Sequence, residues 1–93
     1  MIVGLLTIEI FIPASASLKD KRMVLNRIRD RIHSKFNVSV AEVDFMDKWQ
    51  RSLVAVAVVT SQRTFAEDVL NKIFQLLDGD LNFEISKYSI EYR

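Results

Sequence analysis

Apolar residues recur along the chain at two different spacings, and the changes of spacing predict six elements in the order strand, helix, strand, strand, helix, strand. From Ile2 to Ile12 the even positions are largely apolar and the odd positions are mixed, which is typical of a strand covered on its even face. Pro13 ends this strand because proline has no backbone N–H to donate. Residues 53–59 are apolar at odd and even positions alike and predict a central strand.

Two segments show the spacing of amphipathic helices. The first begins after Ser17, whose hydroxyl can accept a hydrogen bond from a first-turn amide, while Asp20 supplies a capping-box carboxylate. The second is expected to be capped by Ser61 or Thr64, and Gly79 suits the left-handed position that ends it. The buried stripes are predicted to be Leu18, Leu25, Ile28, Ile32 and Phe36, with Val24 at the edge, in the first helix, and Phe65, Val69, Ile73, Leu76 and Leu77 in the second.

The two remaining strands each change the parity of their apolar positions. Within residues 38–45 the apolar set moves from even to odd positions, and one bulge residue near Val40 or Ala41 would explain the change. Residues 83–92 show a similar shift after Ile85. Charges protect an edge strand against pairing with other chains, and this last strand carries Glu84, Lys87 and Glu91.

The element order predicts an α+β fold of the ferredoxin-like type, β-α-β-β-α-β, with a four-stranded antiparallel sheet and two helices on one face. Because 93 residues suffice for one domain only, we expect residues 1–93 to form a single ferredoxin-like domain. A hydrophobic content of 49% supplies the core that so short a chain needs. The chain has no cysteine and therefore depends on packing for its stability.

The apolar start of the chain is followed by Ala14, Ser15 and Ala16, which resemble a signal-peptidase site. No lysine or arginine precedes the apolar run and Glu9 interrupts it, so we predict a strand of the sheet and not a signal peptide. No apolar stretch reaches the roughly 18 residues of a transmembrane helix. The sequence therefore predicts a cytoplasmic protein with no membrane partner.

The sequence lacks the residue patterns of common catalytic and cofactor sites. His33 is the single histidine, and without cysteine it cannot build a zinc site. There is neither a G-x-S-x-G nucleophile elbow nor a glycine-rich phosphate loop. Asp44 and Asp47 are interpreted as turn residues, and Glu9 as a charge on a solvated sheet face. We expect no enzymatic activity, no cofactor and no metal.

The first helix is strongly basic. Residues 17–36 contain seven basic and two acidic residues, a net charge of +5, whereas the whole chain carries +1. Phosphate backbones attract such a stripe of charge. The alternative interpretation is an ordinary solvated helix paired with acidic neighbours. The candidate residues for binding RNA or an acidic partner are Lys19, Lys21, Arg22, Arg27, Arg29, Arg31 and Lys35.

The side of the sheet that the two helices leave uncovered is a second candidate surface. The third strand offers it no aromatic residue, which disfavours the stacking of single-stranded bases. An exposed aliphatic face indicates burial against another chain, so we expect a homo-oligomer. Trp49 and Arg51, beside this strand, are candidate interface residues because these residue types are enriched at interaction hot spots. For Trp49 the alternative is packing over the edge of its own core.

Three blocks of sequence resemble a known family. The strings S-L-K-D-K-R at residues 17–22, F-N-V-S-V-A-E at residues 36–42 and D-K-W-Q-R at residues 47–51 are similar to those of the YlxP-like family of small bacterial proteins. The resemblance implies a ferredoxin-like fold and a biochemical function that is not established. It also implies genes beside those of translation-initiation and ribosome-maturation factors, and it assigns no catalytic or binding residue.

The leading hypothesis from the sequence is a non-enzymatic module that binds RNA or a ribosomal particle through its basic first helix. The alternative is a homo-oligomerising protein-interaction domain that uses the aliphatic open face of the sheet. An enzyme or a small-ligand sensor is the weakest of the three. Acylphosphatases of this fold need a glycine-rich phosphate loop and metal chaperones need cysteines, and the chain has neither.

Overall fold

The computed structural model describes residues 1–93 as one four-stranded antiparallel sheet with two helices packed on one of its faces. The strands lie in the order β2-β3-β1-β4, so the two strands of each β-α-β half are separated by a strand of the other half. This is the predicted ferredoxin-like arrangement. The elements are β1 (Ile2–Phe11), α1 (Leu18–His33), β2 (Ser39–Asp44), β3 (Arg51–Thr60), α2 (Arg63–Asp78) and β4 (Glu84–Tyr92).

The central strands β1 and β3 pair along their whole length, from Ile2 opposite Thr60 to Phe11 opposite Arg51. Their even-numbered residues point toward the helices, because side chains alternate between the two faces of a strand. These positions form the floor of the core and are almost fully buried: Leu6, Ile8, Ile10, Val54, Val56 and Val58. The pattern predicted for the first strand is therefore confirmed.

Helix α1 begins at the predicted cap. Ser17 Oγ accepts a hydrogen bond from the backbone N–H of Asp20 at 3.0 Å, and the Asp20 carboxylate accepts one from the N–H of Ala16 at 3.0 Å. Of the predicted stripe, only Ile28 and Ile32 are fully buried. Helix α2 covers more of the sheet, with Ala66, Val69, Leu70, Ile73 and Leu77 buried.

Gly4 shows how closely α2 approaches the sheet. A Cβ atom at this position would lie 3.0 Å from Leu70 Cδ1 and 3.2 Å from the Cβ of Ala66. Only a residue without a side chain avoids crowding the helix there. The gap at Gly4 in the apolar even set of β1 therefore has a packing reason.

The predicted boundary of α2 is wrong in two details. Its N-cap is Gln62, not Ser61 or Thr64, and Gln62 makes no side-chain capping bond; its backbone N–H donates to the Thr60 hydroxyl at 3.2 Å. Gly79 has a φ of −92° and is not left-handed, since the helix ends in a tight right-handed turn in which the Asp80 N–H donates to the Leu77 carbonyl at 3.2 Å.

Both outer strands contain an irregularity in their pairing. In β2 it lies between Glu42 and Asp44, so Val43 is the extra residue and the predicted position near Val40 or Ala41 is wrong. In β4 the extra residue is Ser86, directly after Ile85 as predicted, and β4 is an edge strand. Neither helix is long and apolar enough to cross a membrane.

Candidate binding surfaces

The outward side of α1 carries a group of cations that form no ion pair. The structure contains seven ion-paired lysines and arginines out of thirteen, and five of the other six lie on this helix or directly after it. We call these five residues the basic face: Lys19, Arg22, Arg27, Arg29 and Lys35. All are exposed except Arg29, which is half-buried and donates to the side-chain oxygen of Asn26 at 3.3 Å. The acidic residues of this helix, Asp20 and Asp30, form no ion pair.

Lys21 does not belong to the basic face, and its prediction as a surface residue is wrong. Its residue exposure is 1%, and Nζ lies 2.8 Å from the Glu42 carboxylate. The same ammonium donates to the carbonyls of Phe45 at 2.9 Å, Met46 at 3.3 Å and Arg51 at 3.4 Å. Lys21 precedes Ile28 by seven residues, about two helical turns, so both side chains face the sheet. This spacing was visible in the sequence.

Glu42 and Ser52 complete a buried polar group around Lys21, and neither residue was singled out from the sequence. Glu42 Oε2 also accepts a hydrogen bond from Ser52 Oγ at 2.7 Å, and Ser52 is fully buried. The bonds tie the first turns of α1 to both ends of the β2–β3 connection. Phe45, at the start of that connection, has a φ of 62°. The spacing predicts that Lys21 faces inward, but contacts to backbone carbonyls leave no residue pattern, so the sequence could not reveal its partners.

Arg31 leaves the candidate set as well, because it is used inside the domain. Its guanidinium lies 2.7 Å from the Asp80 carboxylate and donates to the Leu76 carbonyl at 3.2 Å, linking the ends of the two helices. Burial alone would raise the pKa of Asp80. Hydrogen bonds from the backbone and side chain of Asn82, with the charges of Arg31 and Arg27, outweigh that effect and hold the pKa below its ordinary value.

The side of the sheet away from the helices is uncovered, and its two central strands present mainly apolar residues. We call their outward-pointing residues the open face: Val3, Leu5, Thr7, Glu9, Phe11, Arg51, Leu53, Ala55, Ala57 and Val59. Seven of the ten are aliphatic or aromatic, and Phe11 and Val59 are the most exposed of these. A bare apolar surface on two neighbouring central strands is unusual in a protein that acts alone.

Glu9 lies on the open face as predicted, but it is not solvated. Its exposure is only 8%, and both carboxylate oxygens accept from Arg51 Nη2 at 3.2 Å. Lys87 Nζ, on β4, is 3.9 Å away. The expectation of a free surface charge failed because cross-strand neighbours in a sheet lie close enough to cover and pair a glutamate.

Trp49 and Arg51 lie together, as the interface hypothesis requires. They line an open depression of about 490 Å³ at the hairpin end of the sheet, with Phe11, Asp47, Lys48 and Gln50. Trp49 is 55% exposed, so it does not pack over its own core. The Arg51 guanidinium stacks 3.9 Å above the centre of the Phe45 ring. Because Phe11 and Arg51 are open-face residues, the depression continues that face at one end.

The other polar residues considered in the sequence make local contacts. His33 is exposed and its Nε2 lies 2.9 Å from the Val38 carbonyl. The Asp44 carboxylate accepts from the N–H of Phe45 at 2.7 Å, as a turn residue does. No three histidine or carboxylate side chains lie close enough together to hold a metal ion.

Comparison with known proteins agrees with the resemblance seen in the sequence. The chain is 39% identical over 77 residues to the uncharacterized protein YlxP of Bacillus subtilis (strain 168), covering 83% of this chain and 84% of that protein. A solved structure, a dimeric ferredoxin-like protein from an uncultured marine organism, is similar with a TM-score of 0.42 and 13% identity over 98% of this chain and 92% of the other. Residues 3–90 match a family model, and the chain belongs to the family described as "Protein of unknown function (DUF503)".

Proposed function

We propose that the protein is a non-enzymatic module that binds the phosphate backbone of RNA, free or within a ribosomal particle, through the basic face of α1. The observation that supports this function is the concentration of unpaired cations on one helix. Elsewhere in the molecule most lysines and arginines have a carboxylate partner within 4.0 Å. Charges without an internal partner are free to contact phosphates and release their counterions.

The arrangement of the basic face fits an extended polyanion better than a small ligand. Four of the five cations lie on α1 between Lys19 and Arg29, about 15 Å along its axis at roughly 1.5 Å per residue, and Lys35 follows after the helix ends at His33. The cations therefore extend along the helix and do not converge on one cavity. Contact with up to five phosphates of a single strand predicts a slope of log affinity against log salt no steeper than about −3.5.

The test is titration of labelled single-stranded RNA, followed by anisotropy from low to moderate salt. The variant Arg22→Glu/Arg29→Glu should weaken binding strongly and reduce the salt slope by about 1.4, the value for two lost contacts. The control Lys72→Glu/Arg93→Glu makes the same change of net charge at cations that are ion-paired elsewhere. Equal affinity of the wild type and the α1 variant, or equal loss in both variants, would contradict the proposal.

A protein-interaction domain that forms homo-oligomers is the second candidate function, favoured by the apolar open face. The two functions use opposite sides of the molecule, so they can be separated by experiment. RNA binding by a protein that keeps the 10.8 kDa mass of one chain at every concentration supports only the first function. Self-association without RNA binding supports only the second.

A further inference from the structure

We propose that the open face binds a second copy of this chain, so that two sheets pack face to face across a two-fold axis and the basic faces lie on the outside of the dimer. This inference rests on the second candidate function and adds to it the number of copies, the two-fold symmetry and the arrangement of the two sheets. Three observations support it: the size of the open face, the way its charges are satisfied, and the mixture of large and small residues on it.

The sheet has about the area that a stable dimer needs. The four strands contain ten, six, ten and nine residues, so a rise of about 3.3 Å per residue and a spacing of about 4.8 Å give roughly 550 Å² for the whole outward side of the sheet, with the open face at its centre. A standard protein interface buries about 800 Å² per partner. The depression beside Trp49 continues the same surface at the hairpin end and adds a large exposed aromatic residue to it. A second copy therefore covers an area in the range of specific interfaces.

Covering the open face does not leave a charge unpaired. Burying an isolated ion is costly, whereas a paired and hydrogen-bonded one can be buried. Glu9 is only 8% exposed in the single chain, and its carboxylate is held by Arg51. Lys87, on the edge strand β4, has a side chain that is 75% exposed and lies where an interface normally has its hydrated rim.

The residues of the open face can also interlock with themselves. Leu5 and Leu53 project beside Ala55 and Ala57, which gives one surface both knobs and hollows. A two-fold axis that lies between the sheets and passes through the centre of the open face places β1 and β3 of one copy over the same two strands of the other, whether the axis runs along or across the strands. Two sheets then pack about 10 Å apart with their side chains interleaved.

The first experiment measures mass by light scattering and sedimentation equilibrium over a wide range of protein concentration. The wild type should approach twice the 10.8 kDa of one chain. Ala55→Glu should raise the dimer Kd by on the order of 100-fold or more, because the two-fold axis places the buried carboxylate in the interface twice. The matched control is Gln75→Glu, on the exposed side of α2, which should leave the mass unchanged.

The chain has a single tryptophan, which supplies an independent readout. Trp49 emission should shift to longer wavelength on dilution of the wild type, with the midpoint given by the mass measurement, and should already be shifted in Ala55→Glu. Circular dichroism and a thermal melt establish whether this variant is folded. Thr7→Arg, also on the open face, repeats the test at a second position. A doubled mass with constant Trp49 emission would overturn the placement of the depression inside the interface.

A wild type that stays at the mass of one chain at the highest concentration would overturn the proposal and leave the open face to a different partner. A dimer that survives both open-face substitutions would overturn it as well, by moving the interface elsewhere. RNA affinity separates this result from the first proposed function. Ala55→Glu should bind RNA like the wild type, and Arg22→Glu/Arg29→Glu should keep the wild-type mass.

Discussion

The two faces of the sheet each hold a buried ionic group, and the two groups are satisfied in different ways. Under α1, the Lys21 ammonium is surrounded by Glu42 and three backbone carbonyls, all from the same chain. On the open face, the Glu9 carboxylate is buried, but its partners Arg51 and Lys87 keep much of their side chains in solvent.

This difference separates a structural group from a surface group. All partners of Lys21 come from its own chain, so this buried group holds the β2–β3 connection against α1. The Glu9 group pairs the one buried carboxylate of an uncovered surface with cations that remain at its edge, which leaves that surface suitable for burial against another chain. Substitutions should therefore cost much more folding free energy at Lys21 than at Glu9, and Asp80 should fall between them.

Lys21→Met should have the largest effect on folding. It leaves the Glu42 carboxylate without its cation and three carbonyls without a donor, and breaking a buried pair costs about 3–5 kcal/mol. Glu42 is 18% exposed on its side chain, so the lower end of that range is expected. The measurement is the urea unfolding midpoint, with Lys19→Met on the exposed side of α1 as control. Losses of equal size would show that Lys21 is not an anchor.

Asp80→Asn should reduce the free energy of unfolding by about 1–2 kcal/mol at neutral pH, because three hydrogen bonds to a charged acceptor are weakened. The pKa of Asp80 is lowered in the folded state. The stabilisation is therefore fully present above the unfolded-state pKa of about 3.9, and it disappears as the pH falls through the lower folded-state value.

Urea unfolding of wild type and Asp80→Asn across this pH range checks the sign of the effect. The difference between the two proteins should shrink as the pH falls below about 4. Asp78→Asn, at an exposed carboxylate without an ion pair, is the control and should show no loss of stability. A difference that stays constant with pH would exclude the Asp80 charge as its cause.

Glu9→Gln should have the smallest effect, about 1 kcal/mol or less, because the cations that it releases can be rehydrated. The comparison is best made in the Ala55→Glu background, where association does not contribute to the free energy of unfolding. Glu91→Gln, which removes a partly exposed pair with Arg93, is the control. If Glu9→Gln lowered the free energy of unfolding as much as Lys21→Met, Glu9 would be as fully enclosed by its own chain as Lys21 is.

The strand pattern was readable because burial on one face requires alternation. The even positions of β1 and the apolar run of β3 predicted the two central strands, and Ser17 predicted the start of α1. The bulge in β2 was misplaced by about two residues. Glu42 is a polar residue on the helix-covered side, so the change of parity occurs after it and not before it.

The sequence predicted the two candidate surfaces, and the structure changed which residues belong to them. Counting charges located the basic helix, but it could not separate Lys21 and Arg31, which bond within the domain, from the five cations of the basic face. The helical spacing of Lys21 and Ile28 predicts that the Lys21 side chain faces the sheet, whereas its charge suggested an exposed position. Trp49 is exposed, and its role at an interface stays a prediction. The ion pair that buries Glu9 joins residues 42 positions apart in the sequence.

The order of elements, the ferredoxin-like fold and the lack of cysteine chemistry could be read from the sequence, because they follow from local periodicity and composition. Which charges are free became clear from the packing of the folded chain. A sequence does not distinguish a lysine or glutamate that is exposed to solvent from one that is ion-paired within the domain. Their state depends on partners brought together by sheet register and helix packing, as with Lys21 and Glu42 or with Glu9 and Arg51.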